Sequence, residues 1–349
     1  MRDGADSTGG SGGLYFSHPA CLEHDPRAHM PHHPDTPERL RAIEGRLGLR
    51  DWLGWERREA PAATDAELEL VHSRRHVGAI RKICASGGGA IDPDTFVGEA
   101  SLRAALHAAG GACEMTRALV ARGGGVGFCG IRPAGHHAEP ERAMGFCLFN
   151  NVAIAAELAI RELGVERVLV FDWDVHHGNG TVEAFRRRPD VLVAGIHQAG
   201  IYPGTGSIGD VGSGPGEGYT VNLPVPAGSE ESLWLSLLEH LVIPVANAFQ
   251  PGLLLVSAGF DAHVDDPLGG CRLESRSFAH MACHLRELAD SRGIPLGMVL
   301  EGGYDLDALA ESVEATLRAL AGEGEVESVA PDPILTSRAA ATLSRYWPL

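Results

Sequence analysis

Five short apolar runs alternate along this chain with longer segments of helical periodicity. The runs are dominated by Val, Leu and Ile and lack the polar alternation of a half-exposed strand, which predicts strands that are buried on both faces. They span residues 125–130, 167–171, 191–196, 253–257 and 296–300. The helical segments span residues 37–47, 101–121, 150–163, 230–248, 275–291 and 306–321. This alternation predicts an α/β fold with a parallel sheet covered by helices on both faces.

The length and composition of the chain indicate one large domain. Hydrophobic residues make up 44% of its 349 positions, which is enough apolar material for a single extended core. We expect residues 14–349 to form this domain, with a last helix at 336–345. Residues 1–13 are rich in Gly, Ser and Asp and are expected to form a flexible tail. The tail lacks the features of a signal peptide, and no run is expected to span a membrane.

The net charge and the cysteine content indicate which partners and which cellular location are expected. The formal net charge of −17 disfavours a nucleic-acid surface, which needs basic clusters, and favours cationic partners. The seven cysteines are odd in number and widely scattered, so they do not resemble a disulfide framework. A reduced, cytoplasmic location is therefore expected.

Polar side chains follow two of the predicted strands. Asp174 and His176 come shortly after the strand at 167–171 and are two positions apart, so on an extended chain they point to the same side. A single acid, Asp261, follows the strand at 253–257. Carboxylate and imidazole donors from two strand ends, with positions left for water and substrate, are typical of a catalytic zinc site. Either acid alone could instead cap the next helix.

Two further loops carry candidate catalytic groups. The Gly/Pro-rich stretch 130–138 contains the adjacent residues His136 and His137, and Tyr304 follows two glycines after the strand at 296–300. Taken singly, the histidines could be surface residues and the tyrosine could cover a loop. A metal ion, an imidazole pair and a phenol at separate strand ends are together the groups that metal-assisted hydrolysis needs.

Six motifs occur in a fixed order along the chain. They are Arg-Pro-Ala-Gly-His-His-Ala-Glu (132–139), Gly-Phe-Cys-Leu-Phe-Asn-Asn (145–151), Asp-Trp-Asp-Val-His-His-Gly-Asn-Gly (172–180), Ser-Ala-Gly-Phe-Asp (257–261), Asp-Pro-Leu-Gly (266–269) and Glu-Gly-Gly-Tyr (301–304). With this order the chain, from about Leu14 to about Leu320, resembles the zinc-dependent histone deacetylases. The nearest branch holds the class II enzymes, the bacterial deacetylase-like amidohydrolases and their acetylpolyamine amidohydrolase relatives. The resemblance implies the arginase–deacetylase fold, with an eight-stranded parallel sheet and an active site at the carboxyl ends of its strands.

The resemblance also implies two kinds of bound ion. Asp174, His176 and Asp261 would bind Zn²⁺, although a carboxylate–imidazole set also accepts Fe²⁺ or Co²⁺. A structural potassium ion would lie nearby, with ligands from Asp172, Asp174, His176, Gly195 and Ile196. Because Gly195 stands where the family often has a serine, potassium would depend more on backbone carbonyl groups.

Catalytic roles follow from the same resemblance. The metal would polarise the amide carbonyl and lower the pKa of water. His137 would act as general base and then as general acid, and His136 would support it electrostatically. Tyr304 would donate a hydrogen bond to the oxyanion. Asp172 and Asn179 would orient His136 and His137 respectively, and an amide partner should raise the pKa of an imidazole less than a carboxylate does.

The substrate is predicted from the residues that match the family's acyl-lysine tunnel. These are Gly145, Phe146, Tyr202 and Leu268. The leucine favours acetyl-lysine in a protein or peptide, because a polyamine-specific relative has a glutamate there to attract a second ammonium group. An acetylpolyamine or another N-acyl amine is the alternative substrate. A catalytically silent acyl-lysine binding module is a third hypothesis, which would not need the acid–base residues.

Two other histidine-containing segments resemble metal-binding patterns, but neither is predicted to bind a second metal ion. Residues 261–265 resemble the Asp-Ala-His-x-Asp motif of arginases, which would place His263 and Asp265 on a second metal. That pattern needs the segment at an earlier strand and lacks the paired histidines seen here, so a single-metal site is predicted. The histidine-rich stretch 24–33 is expected to form a rim loop whose histidines hydrogen-bond locally, with an extra metal site as the alternative.

Overall fold

Two β-sheets form within residues 12–349, the part of the chain that the computed structural model describes. The tail predicted at residues 1–13 lies outside the described residues except for its last two positions, so its flexibility stays a prediction. The strands are β1 (Leu14–Ser17), β2 (Glu56–Glu59), β3 (Gly88–Ala90), β4 (Phe96–Gly98), β5 (Val126–Cys129), β6 (Val168–Asp172), β7 (Val191–Gln198), β8 (Thr220–Val225), β9 (Leu253–Ala258) and β10 (Leu296–Leu300).

Eight of these strands form one parallel sheet, which confirms the predicted fold class. Their order across the sheet is β2-β1-β5-β10-β9-β6-β7-β8. The strands β5, β6, β9 and β10 are buried along their whole length, as their apolar runs predict. Parallel neighbours need a crossover connection, and the helices between the strands supply it.

The four central strands, β5, β10, β9 and β6, come from distant parts of the chain and lie side by side. Their registers are level, because Asp172 pairs with Ser257, and Val299 pairs with both Ser257 and Cys129. The loops that follow these four strands therefore leave the sheet at the same edge. In open parallel sheets, ligands bind at this carboxyl edge.

Helices cover the sheet in two layers. The α-helices are α1 (Glu38–Gly48), α2 (Asp65–Leu68), α3 (Arg74–Ala85), α4 (Ser101–Arg122), α5 (Asn151–Glu162), α6 (Asn179–Phe185), α7 (Glu231–Leu237), α8 (Ile243–Phe249), α9 (Ser275–Arg292), α10 (Leu306–Leu320) and α11 (Leu335–Leu343). Helices α4 and α5 pack together and against the sheet, and α1, α9 and α10 form another packed group. Helix α11 confirms the helix predicted near the end of the chain.

The helix predicted at 230–248 is present, but its middle turn is not α-helical. A π-helical stretch, Leu238–Val242, separates α7 from α8. Pro244 lies in the first turn of α8 and has no amide hydrogen to bond to the preceding turn, which favours a break in the α-helical pattern there. By length and composition, Glu231–Phe249 would also be long and apolar enough to cross a membrane, so the expectation that no run would qualify is wrong. Its side chains, Trp234 and Leu241 among them, belong to the main hydrophobic core.

The sequence patterns missed both edges of the large sheet. Strand β2 has the sequence Glu-Arg-Arg-Glu, and β8 contains Asn222 and Pro224. An edge strand pairs on one side only, so it can carry charges and proline, and these remove the apolar signal. The antiparallel hairpin of β3 and β4 and helix α3 also lie outside the predicted elements.

Candidate functional site

The loops after the four central strands meet at the carboxyl edge of the sheet. In the order β5, β6, β9 and β10, they carry His136 and His137, then Asp174 and His176, then Asp261, and finally Tyr304. The histidines and aspartates are buried, and Tyr304 is partly buried. The structure therefore brings together all the residues that the sequence assigned to the metal and to catalysis.

Asp174, His176 and Asp261, called the buried trio below, present three donor atoms to one point. His176 Nδ1 is 3.1 Å from Asp174 Oδ1 and 3.1 Å from Asp261 Oδ2. One donor atom from each residue lies within 4.8 Å of the other two. An imidazole nitrogen and two carboxylate oxygens at this spacing fit one divalent ion of the zinc class, with coordination positions left over.

Backbone amides fix the other oxygens of the two carboxylates. The Val175 N–H donates to Asp261 Oδ1 at 2.8 Å, and the Gly302 N–H donates to Asp174 Oδ2 at 2.8 Å. A side chain at position 302 would collide with both carboxylates, so this close approach requires glycine. The donor atoms are thus held in place by the fold itself, as in a preorganised metal site.

The ionisable groups of the buried trio lie so close together that their charges shift one another's pKa values. Burial alone would lower the pKa of His176, but hydrogen bonds with Asp174 and Asp261 raise it to about 10. Burial opposes ionisation of Asp174, yet the charges of His136 and His176 hold the pKa of its carboxyl below the usual range. Burial and the charge of Asp174 raise the pKa of Asp261. The two carboxylates thus stabilise positive charge at the position between them, which a divalent cation would supply.

The rings of His136 and His137 lie with their centroids 4.0 Å apart and their planes tilted by 41°, and the two residues differ in their hydrogen-bond partners. His136 Nδ1 donates to Asp172 Oδ2 at 2.9 Å, and His137 Nδ1 donates to Asn179 Oδ1 at 2.8 Å. Burial disfavours charge on both rings. At His136 the carboxylates of Asp174 and Asp172 outweigh burial and raise the pKa well above its usual value. At His137 the charges of the neighbouring imidazoles add to burial, and the pKa falls well below its usual value.

The two histidines therefore have different protonation states. The surrounding charges favour the charged form of His136 and the neutral form of His137. Since Asn179 Oδ1 can only accept, the proton of His137 is on Nδ1, and Nε2 is left as an acceptor. This arrangement suits His137 for accepting a proton.

Asn179 has a partner that the sequence did not indicate. Its side-chain amide donates to Glu139 Oε1 at 2.9 Å, which fixes the end of the amide that faces His137. Glu139 closes the Arg-Pro-Ala-Gly-His-His-Ala-Glu motif, and its position in that motif was the only available signal. Local periodicity contains no information about this contact, because the two residues are 40 positions apart.

A pocket of about 250 Å³ adjoins the buried trio and His137. Its lining residues are Asp94, His137, Gly145, Phe146, His176, Ile201, Tyr202, Leu268 and Tyr304. All four predicted tunnel residues therefore lie in its wall. The Tyr202 ring is 5.0 Å from the His137 ring, and Leu268 remains 36% exposed. Asp94, in the hairpin loop between β3 and β4, is a wall residue that sequence reasoning missed because that hairpin was not predicted.

One wall of the pocket has an unusual backbone conformation. Gly145 and Phe146 have positive φ angles of 57° and 66°. A Cβ at Gly145 would overlap the rings of His137 and Tyr202, so only glycine fits there. Phe146 carries a Cβ, and a left-handed conformation costs such a residue roughly 1–2 kcal/mol. Its N–H donates to Thr95 Oγ1 at 3.1 Å, which helps to hold the conformation.

Tyr304 lines the same pocket from the loop after β10. Its N–H donates to Asp266 Oδ2 at 2.6 Å, and the Arg39 guanidinium carbon lies 4.8 Å from the centre of its ring. Burial raises the pKa of its hydroxyl well above the usual value, and the charge of Arg39 opposes this only in part. The phenol is therefore protonated and available as a hydrogen-bond donor.

Sequence reasoning assigned no role to the ionic cluster behind Tyr304. Arg39 donates to Asp35 Oδ1 at 2.8 Å and to the carbonyl groups of Gly303 (2.5 Å) and Glu301 (2.6 Å). Arg132 donates to the same Asp35 oxygen at 2.6 Å. Burial opposes ionisation of Asp35, but the two arginines hold the pKa of its carboxyl well below the usual range. This cluster fixes the backbone of the Tyr304 loop.

The residues predicted for potassium lie together beside the buried trio. Gly195 pairs with Asp172 between β6 and β7, and a Cβ at Gly195 would be 3.4 Å from the Asp172 carbonyl oxygen. Ile196 is the next residue of β7. Potassium binding itself stays a prediction.

The other histidine patterns are used for contacts within the protein. His263 and Asp265 approach each other to 3.6 Å, and within residues 12–349 no third donor joins them in a metal-like group. His24 contacts Ser101 Oγ at 2.7 Å, and His33 donates to the Asp94 carbonyl at 3.0 Å. Both histidines are buried and bond to segments 77 and 61 positions away, so the expectation of a rim loop with local hydrogen bonds is wrong for these two contacts.

Comparison with known proteins gives a family match over most of the chain. Residues 33–320 match the model of the histone deacetylase domain. Histone deacetylase 10, chloroplastic, from Oryza sativa subsp. japonica is 38% identical over 342 residues, which cover 92% of this chain and 76% of the relative. The histone deacetylase-like amidohydrolase of Pseudomonas aeruginosa is 37% identical over 303 residues, which cover 86% of this chain and 78% of the relative.

A solved structure is similar over nearly the whole chain. The crystal structure of the HDA15 HD domain superposes with a TM-score of 0.89 at 34% sequence identity. The alignment covers 97% of this chain and 96% of that one.

Proposed function

Because this chain belongs to the histone deacetylase family of hydrolases, we propose that it hydrolyses N-acyl amides and acts mainly on acetyl-lysine in proteins or peptides. One observation carries this proposal. His176 of the buried trio, His137 and Tyr304 all line one pocket, and His137 and Tyr304 each have their own orienting partners. A catalytically silent binding module would need the pocket but not an oriented acid–base set.

The buried trio would hold the metal ion. The family is generally zinc-dependent, and one imidazole nitrogen with two carboxylate oxygens suits Zn²⁺. Bound there, the ion would supply the Lewis acid that polarises the amide carbonyl and acidifies water. The same donors would accept Fe²⁺ or Co²⁺.

His137 and Tyr304 would carry the proton chemistry. His137 Nε2 would take a proton from the attacking water and return it to the nitrogen of the leaving amine. The charge on His136 favours the neutral form of His137 before the reaction, because it lowers the pKa of that ring. The Tyr304 hydroxyl would donate to the carbonyl oxygen as negative charge develops on it.

The shape of the pocket supports a substrate with a slender stem. Aromatic walls at Phe146 and Tyr202 and a volume of about 250 Å³ suit an aliphatic chain that carries an amide. Leu268 is uncharged and half-exposed, so it offers no counter-charge to a second ammonium group. This feature favours acetyl-lysine over an acetylated polyamine.

Hydrolysis of acetylpolyamines is the second candidate. The Asp94 carboxylate lies at the pocket, and the net charge of −17 would attract polycations in a salt-dependent way. Both features would also assist a lysine-rich peptide, so they do not reverse the order of preference.

Steady-state kinetics with the zinc-reconstituted protein would test the proposal. We expect kcat/KM for an acetyl-lysine peptide to exceed that for N-acetylputrescine, and His137→Ala to abolish turnover of both. A clear preference for the diamine would reverse the substrate assignment. If the folded, zinc-loaded protein binds the acetylated peptide without cleaving it, the chain is a binding module.

A further inference from the structure

We infer that His33 sets the width of the substrate slot, because it holds the Phe146 wall in place and so favours amides on slender stems. This inference rests on the proposed function. It concerns a residue that is only 2% exposed and does not line the pocket.

Both ring nitrogens of His33 have hydrogen-bond partners. The Asp35 N–H donates to Nδ1 at 3.1 Å, so the ring proton is on Nε2. Nε2 then donates to the Asp94 carbonyl at 3.0 Å. With both nitrogens engaged, the plane of the imidazole is fixed.

The fixed ring packs against Phe146. The two ring centroids are 4.5 Å apart and the planes meet at 64°, an edge-to-face contact. The Phe146 ring also lies 5.9 Å from the Tyr304 ring. His33 does not line the pocket itself, so it affects the shape of the pocket only through its contact with Phe146.

A closed circuit of contacts, in which each residue touches the next, joins His33 to the pocket wall at Phe146. Asp94, whose carbonyl accepts from His33, is followed by Thr95. The Thr95 hydroxyl donates to Asp94 Oδ1 at 3.0 Å and accepts from the Phe146 N–H at 3.1 Å. Phe146 completes the circuit through its ring contact with His33. The pocket wall and the hairpin loop are thus held by one imidazole.

Phe146 depends on this support because its backbone is in a left-handed conformation, with φ at 66°. If the His33 ring were removed, a space would open behind the phenyl ring, and the backbone could relax into it. The slot would then widen where the substrate stem passes. The metal donors should stay in place, since the Val175 and Gly302 N–H groups hold the two carboxylates and neither bond involves His33.

Binding of two hydroxamates to the zinc-loaded protein separates an effect on the wall from an effect on the metal. Acetohydroxamate has no stem, whereas a straight-chain hydroxamate with a stem as long as that of lysine must lie between Phe146 and Tyr202. We expect His33→Ala to weaken the long ligand by about 5- to 20-fold and acetohydroxamate by less than about twofold. With an acetyl-lysine peptide, KM should rise by a similar factor while kcat stays within about threefold.

Two further variants of His33 identify the contact that matters. His33→Phe keeps a ring without the hydrogen bonds, and His33→Gln keeps a donor and an acceptor without the ring. We expect His33→Phe to retain more affinity for the long ligand than His33→Gln does. His32→Ala, at an exposed neighbouring position, should match the unmodified protein. If His33→Ala does not fold, Thr95→Val removes the acceptor for the Phe146 N–H and should give the same selective loss.

Two outcomes would overturn the inference. Equal weakening of both hydroxamates would place the effect at the metal, and unchanged binding of the long ligand to a folded His33→Ala protein would mean that the wall does not need the histidine. Failure of the proposed function has a different signature, since the zinc-treated unmodified protein would then hydrolyse no acylated amine, whatever its affinity for the two hydroxamates.

Discussion

Two groups of one histidine and two carboxylates, both within residues 12–349, have nearly the same donor spacing and very different surroundings. In the buried trio, His176 Nδ1 is 3.1 Å from an oxygen of each aspartate. In the second group, called the exposed trio and formed by Glu231, His280 and Glu327, His280 Nδ1 is 2.8 Å and 3.2 Å from the two carboxylates. Distance alone does not distinguish these groups.

The two groups differ in the burial of their carboxylates and in the backbone hydrogen bonds that hold these carboxylates. The aspartates of the buried trio are at most 1% exposed, and backbone N–H groups hold their second oxygens. In the exposed trio, Glu327 is 56% exposed, and Arg276 approaches Glu231 as a competing partner. Two long glutamate side chains lose more conformational freedom than two short aspartates on binding an ion. The comparison teaches that a metal site needs donors fixed in advance and shielded from water, in addition to the right donor types.

The strongest test of this comparison removes one donor from each group. Asp261→Ala should eliminate tightly bound zinc and turnover, an effect larger than the 10- to 100-fold expected for losing an outer partner. His280→Ala is the matched control and should change neither. Zinc content after dialysis and kcat/KM are the measurements. If His280→Ala also released zinc, the distinction between the two groups would fail.

A second substitution separates catalysis from metal binding at the buried trio. Tyr304→Phe removes only a hydroxyl from the pocket, so kcat should fall by about 10²–10³, as for loss of an oxyanion donor. Zinc content should stay unchanged, because Tyr304 is not among the three donors. Full activity of this variant would contradict the role assigned to the phenol.

A third change tests the outer support of the buried trio. Asp172 accepts from His136 Nδ1 and from the Asp174 N–H at 3.0 Å, so it orients one residue proposed for catalysis and one proposed as a metal ligand. Asp172→Asn should lower activity or zinc affinity by about 10- to 100-fold. Competition with a zinc chelator and steady-state kinetics would measure the two effects. Unchanged values of both would show that the carboxylate charge at this position is dispensable.

The smallest effect is expected at the exposed trio itself. Its residues are solvent-accessible ion pairs, so His280→Ala or Glu231→Gln should change the free energy of unfolding by only about 0–1 kcal/mol. Urea denaturation would measure this change. A destabilisation that appears only when zinc is present during unfolding would reveal an ion at this group and remove the contrast with the buried trio.

The amino-acid sequence by itself determined the strands whose side chains are all buried. Continuous apolar runs mark β5, β6, β9 and β10 because both faces of these strands are buried. The chemistry at their ends was also readable, since aspartate, histidine and tyrosine directly after such runs have few structural uses. The motifs singled out Asp174, His176, Asp261, His137 and Tyr304, which the fold brings together at one edge of the sheet, while their roles stay a proposal.

The sequence alone could not determine which distant residues meet. The edge strands carry charges and proline, so their pattern is that of a loop. The hairpin that brings Asp94 to the pocket was missed because its strands are only three residues long and contain glycine. The contacts of Glu139 with Asn179 and of His33 with Phe146 join residues that local periodicity does not relate. The donor types of the exposed trio are as suitable for metal as those of the buried trio. Only the tertiary structure decided between them, because burial and backbone support depend on the order of strands in the sheet and not on the spacing of residues along the chain.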